Sequence, residues 1–336
     1  MLASDSRSWV AEMQDHLEWE RLLARVRARD RSALARAFSL IERDPDIWPA
    51  GWEPAGGHSF VVAVTGVPGA GKSTVLGALL AVLSQWDMSL SVVAFDPTSP
   101  RSGGALLGDR IRMLESASLP NVFVRSVAAR DANTGTAALP ALLALLETFG
   151  FDFIFLETVG GGQEATPLLS LADSVMLVVA PGLGDSVQLL KAGALELADL
   201  IVVNKVDRPG ADELVRELSA YFRLIAPDPS LTPTIVRTVA TERVGIEDVA
   251  EALRALRTRL EENGILAQRR SQRGTRYLEA RVRSRCLRLL DEVLHEQHTA
   301  QSTAGLQQRE RAIYRNLAQR LASLADERDS ECFDAR

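Results

Sequence analysis

Seven short apolar runs, spaced by stretches of helical periodicity, restrict this chain to few folds. They are FVVAVTG (60–66), SVVAFD (91–96), VFVRSVA (122–128), FIFLET (153–158), SVMLVVA (174–180), LIVVNK (200–205) and TIVRTV (234–239). Several are apolar at consecutive positions, as strands buried on both faces require. Strands alternating with helices imply a mostly parallel sheet with right-handed crossovers, so the expected class is α/β. The region spans about two hundred residues, within the range of a single domain.

The flanks are different in character. Residues 8–44 mix polar and apolar positions at helical spacing, notably Leu22, Val26, Leu34, Phe38 and Ile41, with Asp30 or Ser32 as a cap for a second helix. Pro45 to Ser59 gathers Pro, Gly and Trp and reads as a linker whose tryptophans pack on a domain face. Beyond Glu262 the strand signals stop, and two arginine-rich amphipathic segments predict two long helices. The expected division is a helical extension and linker over 1–55, the α/β domain over 56–260 and a helical segment over 261–336. That last segment is either a solvated hairpin or a dimerisation arm.

Composition narrows the setting. A net charge of -6 argues against nucleic acid or an anionic membrane as the main partner. Two cysteines, Cys286 and Cys332, cannot form a disulfide scaffold. The first residues carry acids where a secretory leader needs a basic start, and no apolar stretch of about 18 residues is present to span a bilayer. A cytoplasmic protein is expected.

GVPGAGKST, Gly66 to Thr74, fits the phosphate-loop pattern G-x-x-x-x-G-K-[ST] and lies between an apolar strand and the helical run VLGALLAVL. Backbone N–H groups of Gly66, Val67, Pro68–Gly69, Ala70 and Gly71 and of the helix start would cradle phosphate, proline itself lending only its turn geometry. Lys72 would reach the β- and γ-phosphates, and Ser73, followed by Thr74, would hold magnesium. NKVD, with Asn204, Lys205 and Asp207, follows the strand LIVV at the sheet edge where open α/β sheets bind ligands. The Asp207 carboxylate can accept two hydrogen bonds from the N1–H and 2-amino group of guanine, a donor pair adenine lacks. GTP or GDP is therefore the expected ligand. Val239, Ala240 and Thr241 in TVATERVGI are the candidates for donors to the guanine oxygen. Asp96 and Glu157 stand at two strand ends, Glu157 before Gly160, Gly161 and Gly162, and are candidate magnesium acids.

Of 38 basic residues only Lys72, Lys191 and Lys205 are lysine. A compact ammonium suits the phosphate loop, and a straight alkyl stem suits the base site, so two of the three explain themselves. Lys191, in PGLGDSVQLLKAG, is either a chance survivor at the surface or a group pointing toward the nucleotide or a partner.

VTGVPGAGKST, the run DPTSPRSGGALLGDRIRM, ETVGGGQ and NKVD together resemble the MeaB family of G-protein chaperones, relatives of the methylmalonic aciduria type A protein. The resemblance implies a P-loop GTPase fold of the SRP/MinD/BioD class with helical extensions, the C-terminal one a dimerisation arm of a homodimer. It implies Mg2+ as cofactor and an adenosylcobalamin-dependent acyl-CoA mutase as client, whose cofactor loading is gated by GTP hydrolysis. Carried over by motif, Asp96 and Asp109 fall in a first switch, also bearing Arg101 and Arg110, and act with Lys72, Glu157 and Ser73 around magnesium and phosphate. Gln163 falls in a second switch and is the candidate to position water. Asp185, Gln188 and Lys191 fall in a third switch that senses the client. Here the chain departs from the family pattern, reading GDSVQLLKAG where relatives commonly read GDELQGIKKG. Slow intrinsic hydrolysis, stimulated by the client, is expected. The rival readings are a nickel-delivery GTPase, for which His295 and His298 are the nearest ligand pair, and a P-loop phosphotransferase.

Overall fold

The computed structural model describes residues 18–44, 47, 58–97, 118–129, 138–158, 166–182, 194–225, 232–299 and 306–333. Each of the seven apolar runs forms a strand: β1 (Phe60–Thr65), β2 (Leu90–Pro97), β3 (Val122–Ala129), β4 (Phe153–Glu157), β5 (Ser174–Val179), β6 (Leu200–Asn204) and β7 (Thr234–Thr238). They make one sheet in the order β3-β2-β4-β1-β5-β6-β7, and every pairing is parallel. All strands therefore begin at one edge of the sheet and end at the other.

Successive residues of β1 serve opposite layers, which is why both parities are apolar. Phe60, Val62 and Val64 pack with Val75, Leu76, Leu79 and Leu83 of α3 (Lys72–Gln85) and with Val249, Leu253 and Leu256 of α8 (Ile246–Glu262). Val61 faces the other way, into a cluster with Leu142 and Leu146 of α4 (Leu139–Phe149). On that second face Leu177, Val179, Ile201 and Val203 cover Leu218 and Phe222 of α7 (Ala211–Ile225). Two short helices, α5 (Thr166–Leu171) and α6 (Ala194–Leu197), precede β5 and β6.

The N-terminal helices belong to this packing. Helix α1 (18–27) and α2 (Arg31–Arg43) put Leu22, Val26, Leu34, Phe38 and Ile41 into the same cluster as Phe123 and Val127 of β3. Asp30 caps α2, its carboxylate accepting from Ser32 N at 2.8 Å and Ala33 N at 3.1 Å, so Ser32 lies inside the helix. Arg125 of β3 stacks over Phe38 and donates to Ala35 O at 3.0 Å. The linker tryptophans Trp48 and Trp52 fall outside the described residues.

The two long C-terminal helices are α9 (Ile265–Thr299) and α10 (Leu306–Phe333), joined by Arg320 ion pairs to Glu292 and Glu296. The first turns of α9 are fastened to the amino edge of the sheet by three arginines on one helical face. Arg269 forms a fork on Asp199 at 2.8 and 2.9 Å and reaches Asp173 O at 2.7 Å. Arg270 donates to Ser59 O at 2.7 Å and lies 3.3 Å from the Asp173 carboxylate. Arg273 holds Glu147 at 2.7 Å. Asp173 and Asp199 stand just before β5 and β6, and each also caps a strand N–H, Val61 at 2.9 Å and Val175 at 3.0 Å. Farther along, Arg288 meets Asp44 at the end of α2 at 3.6 Å.

Candidate nucleotide site

The phosphate loop joins the carboxyl end of β1 to the first turn of α3. Two glycines make its path possible. Gly66 has φ +147°, and a Cβ there would lie 2.0 Å from Val178 O of β5. Gly71 caps α3 at φ +95°, and a Cβ there would lie 2.4 Å from the Asn204 side chain. Both are positions that only glycine fills without strain. The α3 N-terminus has no side-chain cap, and uncapped backbone donors at a helix start are the kind of group that binds phosphate.

Lys72 folds back over the loop, donating to Gly66 O at 3.0 Å and Val67 O at 3.4 Å. Ser73 donates to Glu157 Oε1 at 2.7 Å, bringing together two residues 84 positions apart that the sequence assigned to magnesium. Glu157 is 6% exposed. A hydroxyl and a carboxylate oxygen suit a hard cation such as magnesium, which takes few protein ligands.

The base-recognition strand is tied to this loop. Asn204 donates to Ala70 O at 2.9 Å and accepts from Ala240 N at 3.1 Å and Thr238 Oγ1 at 3.2 Å. One buried amide thus spans the phosphate loop, the end of β6 and the loop after β7. Lys205, in the left-handed region at φ +60°, donates to Gly69 O at 2.6 Å. Asp207 follows in an exposed turn at the same edge. After β7, Val239 and Val244 close a small loop around a 3-10 turn over Ala240–Glu242. Gly245 is again obligatory, since a Cβ would sit 2.1 Å from Arg237 O. The Ala240 N–H already serves Asn204, whereas Thr241, one residue on, is exposed.

Lys72, Ser73, Glu157, Asn204, Lys205 and the 239–241 loop are brought together at one edge of the sheet. Asp96 is placed by backbone alone, within β2 and two residues past the Ala94 that pairs with Glu157. Asp109, Arg101, Arg110, Gln163, Asp185, Gln188 and Lys191 lie outside the described residues. Thr238, fully buried and hydrogen-bonded to Asn204, escaped the sequence reading, because a threonine ending a strand carries no motif.

Known proteins resemble this chain over most of its length. The family model described as "Methylmalonyl Co-A mutase-associated GTPase MeaB" matches residues 50–297. A protein of Pyrococcus abyssi named as a GTPase is 40% identical over 266 residues, covering 76% of this chain and 81% of that protein. The fused isobutyryl-CoA mutase of Cupriavidus metallidurans is 38% identical over 202 residues, 58% of this chain and 18% of that much longer protein. Among solved structures, a LAO/AO transport system kinase is similar in fold, with TM-score 0.62 and 24% identity, covering 88% of this chain and 96% of that one. With a P-loop GTPase fold and a family model matched across the whole sheet, the chain belongs to the MeaB family of GTPases.

Proposed function

We propose that the protein is a magnesium-dependent GTPase that docks on an adenosylcobalamin-dependent acyl-CoA mutase in the cytoplasm and couples GTP hydrolysis to loading of the mutase cofactor. The observation that carries the nucleotide part is the Asn204 bridge. It makes the base-recognition turn and the phosphate loop one rigid unit. A mutase client is supported by the family description and by the relative in which a similar segment is fused to isobutyryl-CoA mutase.

The chemistry is transfer of the γ-phosphoryl group to water. The loop N–H groups and the α3 N-terminus hold the β- and γ-phosphates, and Lys72 exchanges its two carbonyl partners for phosphate oxygens. Ser73 and Glu157, with Asp96 and Asp109, would hold magnesium, which when bound supplies positive charge against the phosphates. Asp207 reads the guanine edge. Thr241 N–H takes the guanine oxygen, since Ala240 N–H is committed to Asn204. Gln163 positions the water, and the 183–193 segment with Lys191 senses the client.

Phosphate release should be measured with GTP and with ATP, alone and with each purified acyl-CoA mutase. GTP turnover that rises with one mutase is expected, and equal turnover of ATP would sink the base assignment. Asp207→Asn loses two hydrogen bonds to a charged acceptor, each about 1.5–3 kcal/mol, and should weaken GTP binding at least about a hundredfold. The C-terminal helices expose Leu278, Val282 and Tyr314, a face that a second copy would cover. Light scattering that gives a monomer mass would refute the homodimer.

A further inference from the structure

Helix α5 begins nine residues after Glu157, the acid that meets Ser73 in the candidate site, and ends at Leu171, two residues before Asp173. The connection that contains it starts at the carboxyl end of β4 and returns to the amino edge of the sheet before β5. The leucines of α5 enter two buried clusters: Leu168 and Leu171 share the α4 cluster, and Leu169 packs with Ala63 and Val175. At its end, Leu171 O accepts from Arg273 at 3.3 Å. The same guanidinium holds Glu147 at 2.7 Å and lies 3.5 Å from Asp173. Arg273 is 12% exposed, Glu147 4% and Asp173 1% in their side chains.

We propose that Arg273 is a coupling residue that ties the position of α5 to the start of α9, so that the nucleotide state is transmitted to the C-terminal helical pair. The proposal rests on the GTPase reading above. Its physical basis is that one buried guanidinium serves three elements at once. If α5 moved alone, Arg273 would lose a buried acceptor, and if α9 moved alone, two buried carboxylates would lose their cation. Closely packed interiors with such shared contacts shift between discrete arrangements and do not yield gradually. Arg269 and Arg270 reinforce the tie, because both also hold Asp173, through its carbonyl and its carboxylate respectively. A displacement of α5 with the nucleotide is thereby passed to a helix 35 residues long, which joins α10 and Asp44 at its far end.

The test is hydrogen exchange on the full chain, comparing GDP with a non-hydrolysable GTP analogue, read at amides 274–290. The wild-type protein should show a change of about fivefold or more between the two states. Two variants remove the tie. Arg273→Met with Glu147→Met replaces the buried pair by apolar volume, an exchange that folds usually tolerate. Arg273→Lys keeps the charge but lacks the planar fork needed for several acceptors at once. In both, nucleotide affinity should stay within about twofold of wild type while the change at 274–290 disappears. Glu147→Gln, which leaves Arg273 an acceptor, should retain it. An undiminished change in the two tie-breaking variants overturns the proposal. So does a wild-type protein that binds both nucleotides with no change in this segment, a result that leaves the GTPase reading standing. Failure of the wild type to bind either nucleotide overturns both.

Discussion

At the carboxyl edge of the sheet, recognition is assigned to backbone groups, and at the amino edge to charged side chains. The phosphate loop is shaped by Gly66 and Gly71, the helix start that follows has no side-chain cap, and Lys72 rests on loop carbonyls. At the opposite edge Arg269, Arg270 and Arg273 meet Asp199, Asp173 and Glu147, so the cluster is complete within the chain. The difference separates two purposes. A site that must exchange its occupant uses groups that cost little to leave with a temporary partner, whereas a permanent joint can use charges that would be intolerable if exposed singly in the interior.

That contrast can be broken by substitution. Arg273→Met should be the most damaging change to the fold, about 3–5 kcal/mol, since it leaves the buried Glu147 carboxylate without its cation while Asp173 keeps Arg270. Denaturant melts would detect it, and a loss under 1 kcal/mol, as at about the level of a surface pair, would mean the joint is ornamental. Lys72→Ala should do the reverse: turnover falls by about 10²–10³ while the melting curve is preserved. Gly66→Ala crosses the divide, because its Cβ would strike the β5 backbone in a conformation that side chains disfavour, costing about 1–3 kcal/mol together with nucleotide affinity. A variant that binds normally would show that the loop can yield.

The smallest effect concerns pH. Burial pushes the Glu147 carboxyl above its ordinary value, opposed by Arg273 and helped by nearby Asp173. A carboxyl raised in the folded state favours folding most when protonated, so this contribution is complete below about 4.5 and is lost as pH rises through the folded value. Wild type should therefore gain stability relative to Glu147→Gln as pH falls from about 7 toward about 5. Parallel melts with a constant difference would contradict the assignment.

The strands were legible because consecutive Val, Ile and Phe leave a buried parallel sheet as the economical solution, and the phosphate loop because its glycines answer to backbone geometry. Lys205 was legible through the NKVD motif, and its ammonium donates to Gly69 O of the phosphate loop. Asp30 was legible as one of two caps, and local hydrogen bonding decided between them. The arginine joint was not legible. In a chain so rich in arginine, three more on an amphipathic helix look like a solvated face. A cue was present nonetheless: Leu-Ala-Asp occurs at 171–173 and again at 197–199, each time immediately before an apolar strand. The aspartates of both copies receive arginines of α9. Nothing local distinguishes Thr238, whose role depends on an amide that is distant in sequence.

The N-terminal helices carry a practical consequence for dissecting the molecule. The family model starts at residue 50, yet Leu34, Phe38 and Ile41 share one apolar cluster with Phe123, Val127, Leu142 and Leu146. Cutting the chain where the family model begins would uncover one side of the second face and leave a greasy wall open to water. The part that the family model matches is thus smaller than the part that packs together, and minimal fragments are better drawn from the packing than from the bounds of that match.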